Sequence, residues 1–175
     1  MELKSLLESL LFVADRPVLV RDLAQALEVA EGEVKGALQS LHAEYQARGI
    51  RLQYKGDEVQ MVSAPEAGPH IERFLGLELS GRLSTAALET LSIVAYRQPV
   101  TRMQVEAIRG VHSDGVLRSL VRRGLIEQVG RAETVGRPIL FGTTFEFLQQ
   151  FGLQRLEDLP NWEALGKELG ELFKA

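Results

Sequence analysis

The chain has 175 residues, 45% of them hydrophobic, no cysteine and a formal net charge of −4. That is apolar material for one ordinary domain or two small ones, and it excludes disulfides, thiolate metal sites and cysteine nucleophiles; a reducing, cytoplasmic setting is expected. The charge is uneven: residues 1–79 carry 8 basic and 13 acidic side chains, residues 80–152 carry 9 and 6, and residues 153–175 carry 3 and 5, so any phosphate contact is expected from the middle segment.

The first apolar run, from Leu3 to Ala14, contains Glu8 and is too short to span a bilayer, so neither export nor membrane insertion is expected. Leu3, Leu7, Leu10, Leu11 and Ala14 recur at helical spacing, and Pro17, which has no N–H to donate, ends the helix. A second helix is predicted over about Val20 to Leu27. A third, about Glu31 to Arg48, puts Val34, Leu38, Leu41 and Tyr45 on one stripe and stops at Gly49. The period then changes to two. Ile50 to Tyr54 and Val59 to Met61 alternate around a Gly56-Asp57 turn, a register that sets Lys55 opposite Glu58, Tyr54 opposite Val59 and Leu52 opposite Met61. The connector from Ala64 to Gly81 carries Pro65, Gly68, Pro69, Gly76 and Gly81, with a short helix predicted through Ile71, Phe74 and Leu75.

The second half repeats the first. Leu7-Glu8-Ser9-Leu10-Leu11-Phe12-Val13-Ala14-Asp15-Arg16 aligns with Leu88-Glu89-Thr90-Leu91-Ser92-Ile93-Val94-Ala95-Tyr96-Arg97, and after one inserted residue, Gln98, Pro17-Val18 aligns with Pro99-Val100. Ser84 reads as a helix N-cap, with Leu83 and Leu88 spaced as a hydrophobic staple, and Thr101 with Gln104 as a capping box. The next helix is expected to start at Ser113-Asp114, with the serine oxygen as cap, and to stop at Gly124. Leu125 to Gly130 and Pro138 to Gly142 bracket a loop of wing size, and Thr143 with Glu146 is the expected cap of a further helix. Beyond Pro160, Asn161 is expected to cap a last helix with Trp162, Leu165, Leu169, Leu172 and Phe173 on one stripe.

Three helices and a hairpin, twice over, predict a mainly α fold of two tandem winged-helix domains: residues 1–79, residues 80–160, and a helical tail over 161–175. Two surfaces are candidates for function. The arc of the first helix that includes Leu3, Leu6, Leu10 and Val13, with Phe12 on the other side, is wider than one small core needs; it packs either under its own hairpin or against a second copy. The polar cluster Arg97, Gln98, Arg102, Glu106, Arg109, Asp114 and Arg118 is either a solvated face of local ion pairs or the rim of a groove for a partner helix. His42, His70 and His112 have no ligand spacing, and no phosphate loop or paired-carboxylate motif is present, so no metal, cofactor or catalysis is expected.

From Ala87 through Ile93-Val94-Ala95-Tyr96-Arg97-Gln98-Pro99-Val100-Thr101-Arg102, then Ile108-Arg109-Gly110-Val111, Ser113-Asp114-Gly115-Val116-Leu117 and Gly136-Arg137-Pro138-Ile139-Leu140-Phe141-Gly142-Thr143-Thr144, the chain resembles the bacterial segregation and condensation protein B (ScpB) family. His112 and Phe141 stand where asparagine and tyrosine are common in that family. The resemblance implies a non-catalytic condensin subunit. It implies a homodimer, formed chiefly through the first domain, that binds the middle of the kleisin ScpA, whose ends engage a structural-maintenance-of-chromosomes (SMC) ATPase at the nucleoid. The competing reading is a tandem winged-helix DNA-binding regulator. Against it, the third helix of the first half opens Glu31-Gly32-Glu33, which a phosphate backbone repels; the counterpart in the second half has Arg118, Arg122 and Arg123.

Overall fold

A computed structural model describes residues 1–75 and 83–161. Gly76 and Gly81 of the connector, and the terminal helix expected from Trp162 to Phe173, lie outside the described residues. The first unit runs α1 (Leu3–Val13), β1 (Val18–Leu19), α2 (Val20–Leu27), α3 (Glu31–Tyr45), β2 (Ile50–Lys55) and β3 (Glu58–Ser63). A 3-10 turn (Pro65–Ala67) and α4 (Gly68–Leu75) follow. The second unit repeats the order with α5 (Thr85–Arg97), β4 (Val100–Thr101), α6 (Arg102–Arg109), α7 (Asp114–Arg122), β5 (Ile126–Arg131) and β6 (Ile139–Thr143), then α8 (Phe145–Gln150) and a 3-10 turn (Leu156–Asp158). Both are winged-helix units.

The hairpin of the first unit has the register its side chains dictate: Lys55 opposite Glu58, Tyr54 opposite Val59, Leu52 opposite Met61. Gly56 supplies the left-handed residue that a tight turn needs, at φ +60°. The two-residue strands were not anticipated. β1 pairs with β3 and β4 with β6, so each sheet has three strands, in the orders β1-β3-β2 and β4-β6-β5. These added strands contain the Val18 and Val100 of the aligned Pro-Val pairs, so the repeat in sequence marks the point where the chain joins its own sheet.

Each unit has its own core. Leu7, Leu11, Leu23, Val34, Leu38 and Tyr45 close around Leu52 and Val59 in the first. In the second, Leu91, Val94, Val105, Leu117 and Leu120 pack on Ile126, Phe147 and Leu148. Each fully buried leucine contributes about 1.5–3 kcal/mol by leaving water.

Several helix ends differ from expectation. α3 stops at Tyr45 rather than near Arg48, because the buried Arg51 guanidinium turns back to donate to the carbonyls of Tyr45 (2.8 Å) and Arg48; the end is closed by a side chain, not by Gly49. Ser84 and the Thr101–Gln104 box cap as predicted. Ser113 precedes α7, but its hydroxyl donates to Val111 O and accepts from Arg109, so it makes no cap bond. The cap of α8 is Thr144, which accepts from Phe147 N at 3.1 Å; Thr143 belongs to β6. At the end of α7, Gly124 takes φ +70°, which lets Leu125 N reach Leu120 O at 3.0 Å.

The units are also tied to each other. β2 is a sheet edge, and the chain after α8 runs along it: Tyr54 N donates to Gln154 O at 2.8 Å and the Gln53 amide to Leu153 O at 2.7 Å. Arg155 lies over the Tyr54 ring at 5.5 Å, and Lys55 is paired with Glu127. An exposed strand edge is a template for unwanted pairing, and this segment covers it.

Candidate functional site

The first surface is the outward face of α1. Leu7 and Leu11 point into the core, and Leu3 and Leu10 are half-buried against it. Phe12 and Val13 are left 78% and 72% exposed. Beside them Glu8, Ser9, Ile50 and Met61 complete a shallow cleft of about 360 Å³. The aligned helix α5 shows how unusual this is. Leu6, Ser9, Leu10 and Val13 align with Ala87, Thr90, Leu91 and Val94, all buried, Val94 completely. Conversely Leu88, the partner of buried Leu7, is 43% exposed. The two helices have the same sequence pattern but are turned about their axes by roughly one residue, about 100°. The face that is core in the second unit is half-buried at Leu6 and Leu10 and exposed at Ser9 and Val13 in the first.

The second surface is on α6 and α7, where the structure gathers most of the predicted polar residues into one network. Arg102 is 3.4 Å from Asp114 and 3.9 Å from Glu106, and Arg118 is 2.7 Å from Asp114. Glu106 accepts from Ser113 N at 3.0 Å, and Arg109, its side chain only 7% exposed, is held by Glu89 (2.9 Å) and the Ser113 hydroxyl (3.0 Å). Gln98 stands apart: its amide clasps the end of α5 to β6, donating to Ala95 O and Thr143 Oγ1 and accepting from Thr143 N at 2.8 Å. Glu106, Arg109 and Gln98 are thus spent within the unit. Arg97, Arg102 and Arg118 present charge to solvent.

Next to this network lies an open groove of about 1070 Å³ between α5, α6 and the 156–161 segment, lined by Ile93, Tyr96, Arg97, Ile108, Leu156 and Leu159 among others. Ile108 of α6, which lines it, is more than half exposed, as are Met103 of the same helix and Val111 just after it. A charged rim around an apolar floor is the form a groove takes when it receives an amphipathic helix.

The third cluster lies where the units meet. His42 packs against Tyr54, with ring centroids 5.7 Å apart, and burial, reinforced by nearby Arg155, holds its pKa below the ordinary 6.5. Burial also raises the Tyr54 hydroxyl to about 12. Among the described residues no group of three or more His, Cys, Asp or Glu could hold a metal ion, and no helix is long and apolar enough to cross a membrane.

The family model for segregation and condensation complex subunit ScpB matches residues 5–162. The chain belongs to the ScpB family. Segregation and condensation protein B of Moorella thermoacetica is 50% identical over 164 residues, 92% of this chain and 83% of that one. Among solved structures, ScpB from Mycobacterium tuberculosis is 42% identical, covering 87% of this chain and 96% of that one at a TM-score of 0.42. A dimer of the ScpB N-terminal domain complexed with a ScpA peptide is 27% identical, covering 41% of this chain and 91% of that one at a TM-score of 0.39. Membership rests on the sequence matches. As an ScpB, the chain is an accessory subunit of a chromosome segregation and condensation complex.

Reasoning from sequence missed Glu89, the groove floor and the strap along β2. The first two had a signal: Glu89, Ile93 and Tyr96 recur at helical spacing on α5 outside the core stripe of Leu91, Val94 and Ala95. The strap had none, because Leu153 and Gln154 join it through backbone carbonyls that every residue has.

Proposed function

We propose that this ScpB acts as a homodimer that binds the central region of the kleisin ScpA and is linked through it to the SMC ATPase at the nucleoid. The uncovered face of α1, residues 1–79 being the dimerising part, carries the reading. Leu6, Phe12 and Val13 form the centre of the contact, with Leu3 and Leu10 at its inner edge. An apolar helix face whose aligned counterpart is core gains most by meeting an identical face across a two-fold axis. Residues 80–160 receive the kleisin. Arg97, Arg102 and Arg118 meet its acidic side chains, while Gln98, Glu106, Arg109 and Asp114 hold the surface in shape. Catalysis has no part in this role.

The DNA-regulator reading is not adopted. At the start of α3 the Glu33 carboxylate accepts from Ala30 N at 3.1 Å, which places an acid where a recognition helix would meet phosphate. The test is a pull-down of the kleisin's central segment by the wild-type chain and by a double variant, Arg102→Glu with Arg118→Glu. Loss of capture with an unchanged circular dichroism spectrum is expected. Full capture by the variant contradicts the assignment of this surface.

A further inference from the structure

One wall of the groove and the tie between the units are the same short stretch of chain. Its first half is held by the first unit: the Gln53 side chain and the Tyr54 amide donate to the carbonyls of Leu153 and Gln154, and the Gln46 side chain, just after α3, donates to Gln154 Oε1 at 3.1 Å. Its second half faces the groove, which Leu156 and Leu159 line, and Tyr96 donates its hydroxyl there to Pro160 O at 2.7 Å. Hydrogen bonds lock the halves together. The Asp158 carboxylate accepts from Gln154 N at 3.1 Å and from Arg155 N at 3.0 Å, and the 3-10 turn closes with Leu159 N on Leu156 O at 3.1 Å. Glu157 belongs to both sides: it lines the groove and also the cleft of about 420 Å³ that His42, Tyr54 and Arg155 border between the units.

We propose that the groove is a site of both units: seating residues 153–155 on β2 sets the wall formed by 156–161, and a kleisin helix in the groove tightens that seat in turn. The proposal rests on the kleisin reading of this groove and adds its regulation. Gln46, Gln53 and Tyr54 are then positioning residues, since none of them lines the groove. The physical basis is shared ordering. A stretch whose regular structure is a single 3-10 turn loses backbone freedom when it is fixed, so whichever contact fixes it first leaves less freedom to be lost at the second. The effect is reciprocal: the factor by which a seated strap raises kleisin affinity is the factor by which bound kleisin favours the seat.

Tyr54 N has Gln154 O as its partner, so its hydrogen exchange reports the seat directly. In exchange followed by nuclear magnetic resonance on the full chain, a saturating amount of the kleisin's central segment should slow the Tyr54 amide about fivefold or more, the lower end of ordinary coupling between sites. The Leu7 and Leu11 amides of α1, in the same unit, should keep their rates. Asp158 is exposed, so Asp158→Ala empties no core and removes the carboxylate that joins the halves. In that variant the segment should still slow exchange in α5 and α6, and the slowing at Tyr54 should disappear. Slowing in α5 and α6 of the wild type with an unchanged Tyr54 rate overturns the coupling and leaves the kleisin reading standing. Slowing at Leu7 and Leu11 equal to that at Tyr54 marks general stabilisation and overturns it as well, as does full slowing at Tyr54 in Asp158→Ala. A segment that slows exchange nowhere removes the kleisin reading and the coupling with it.

Discussion

Helices α1 and α5 begin from nearly the same amino-acid pattern and end with different faces buried. Val94 is completely buried where its counterpart Val13 is 72% exposed, and Leu88 is 43% exposed where Leu7 is completely buried. Their lengths help explain the difference. α5 runs on to Arg97, two residues before Pro99, whereas α1 ends at Val13, four residues before Pro17, so the link from the first helix to the second is longer in the first unit. The lesson concerns how one fold acquires distinct surfaces. Rotation of a single helix by one residue converts an interior stripe into an apolar exterior without changing the stripe.

The comparison breaks most sharply with a charge. Val94→Asp places an unpaired carboxylate in a closed core and should unfold the second unit, whereas Val13→Asp should leave circular dichroism intact and yield monomers. Equal behaviour of the two variants in thermal melts and sedimentation would erase the distinction between the faces. Truncation gives the next effect. Leu7→Ala should cost about 2–5 kcal/mol in urea unfolding, and Leu88→Ala less than about 1 kcal/mol, although the alignment makes them equivalents.

A smaller change separates the two sheets. β2 is covered by the 153–155 strap, so Gln53→Ala, which removes the bond to Leu153 O, should cost about 0.5–1.5 kcal/mol and accelerate hydrogen exchange at the Tyr54 amide. Unchanged exchange would mean that the strap does not hold the units together. The smallest effect is in pH. The folded pKa of His42 lies below 6.5, so below that pH the unfolded chain binds a proton that the folded chain does not. Stability should therefore be complete above pH 6.5 and decline as pH falls towards the folded pKa. His42→Gln should flatten that part of the stability profile; an identical slope in the variant would assign it to another group.

The hairpin register was legible in sequence because opposed pairs such as Leu52 and Met61 have one arrangement that puts all the apolar side chains on one face. The caps at Ser84 and Thr101 were legible because a short polar side chain three residues from a free N–H has one obvious use. Ser113 has the same composition and another use, because the turn between α6 and α7 aims the Arg109 guanidinium, four residues earlier, at its hydroxyl, a geometry that composition does not state. The same limit hid the state of the polar cluster: seven residues could be named, but not that Gln98 reaches Thr143 across 45 positions of sequence. The rotation of α1 was hidden too, since periodicity states that a helix has an apolar arc and not which part of it faces inward.

Multi-angle light scattering of the purified protein, alone and with the kleisin's central segment, tests the central claim most directly. A protein that works by joining polypeptides should show twice the 19.4 kDa chain mass by itself and a heavier particle once the kleisin is added. A single-chain mass that the kleisin leaves unchanged would contradict it.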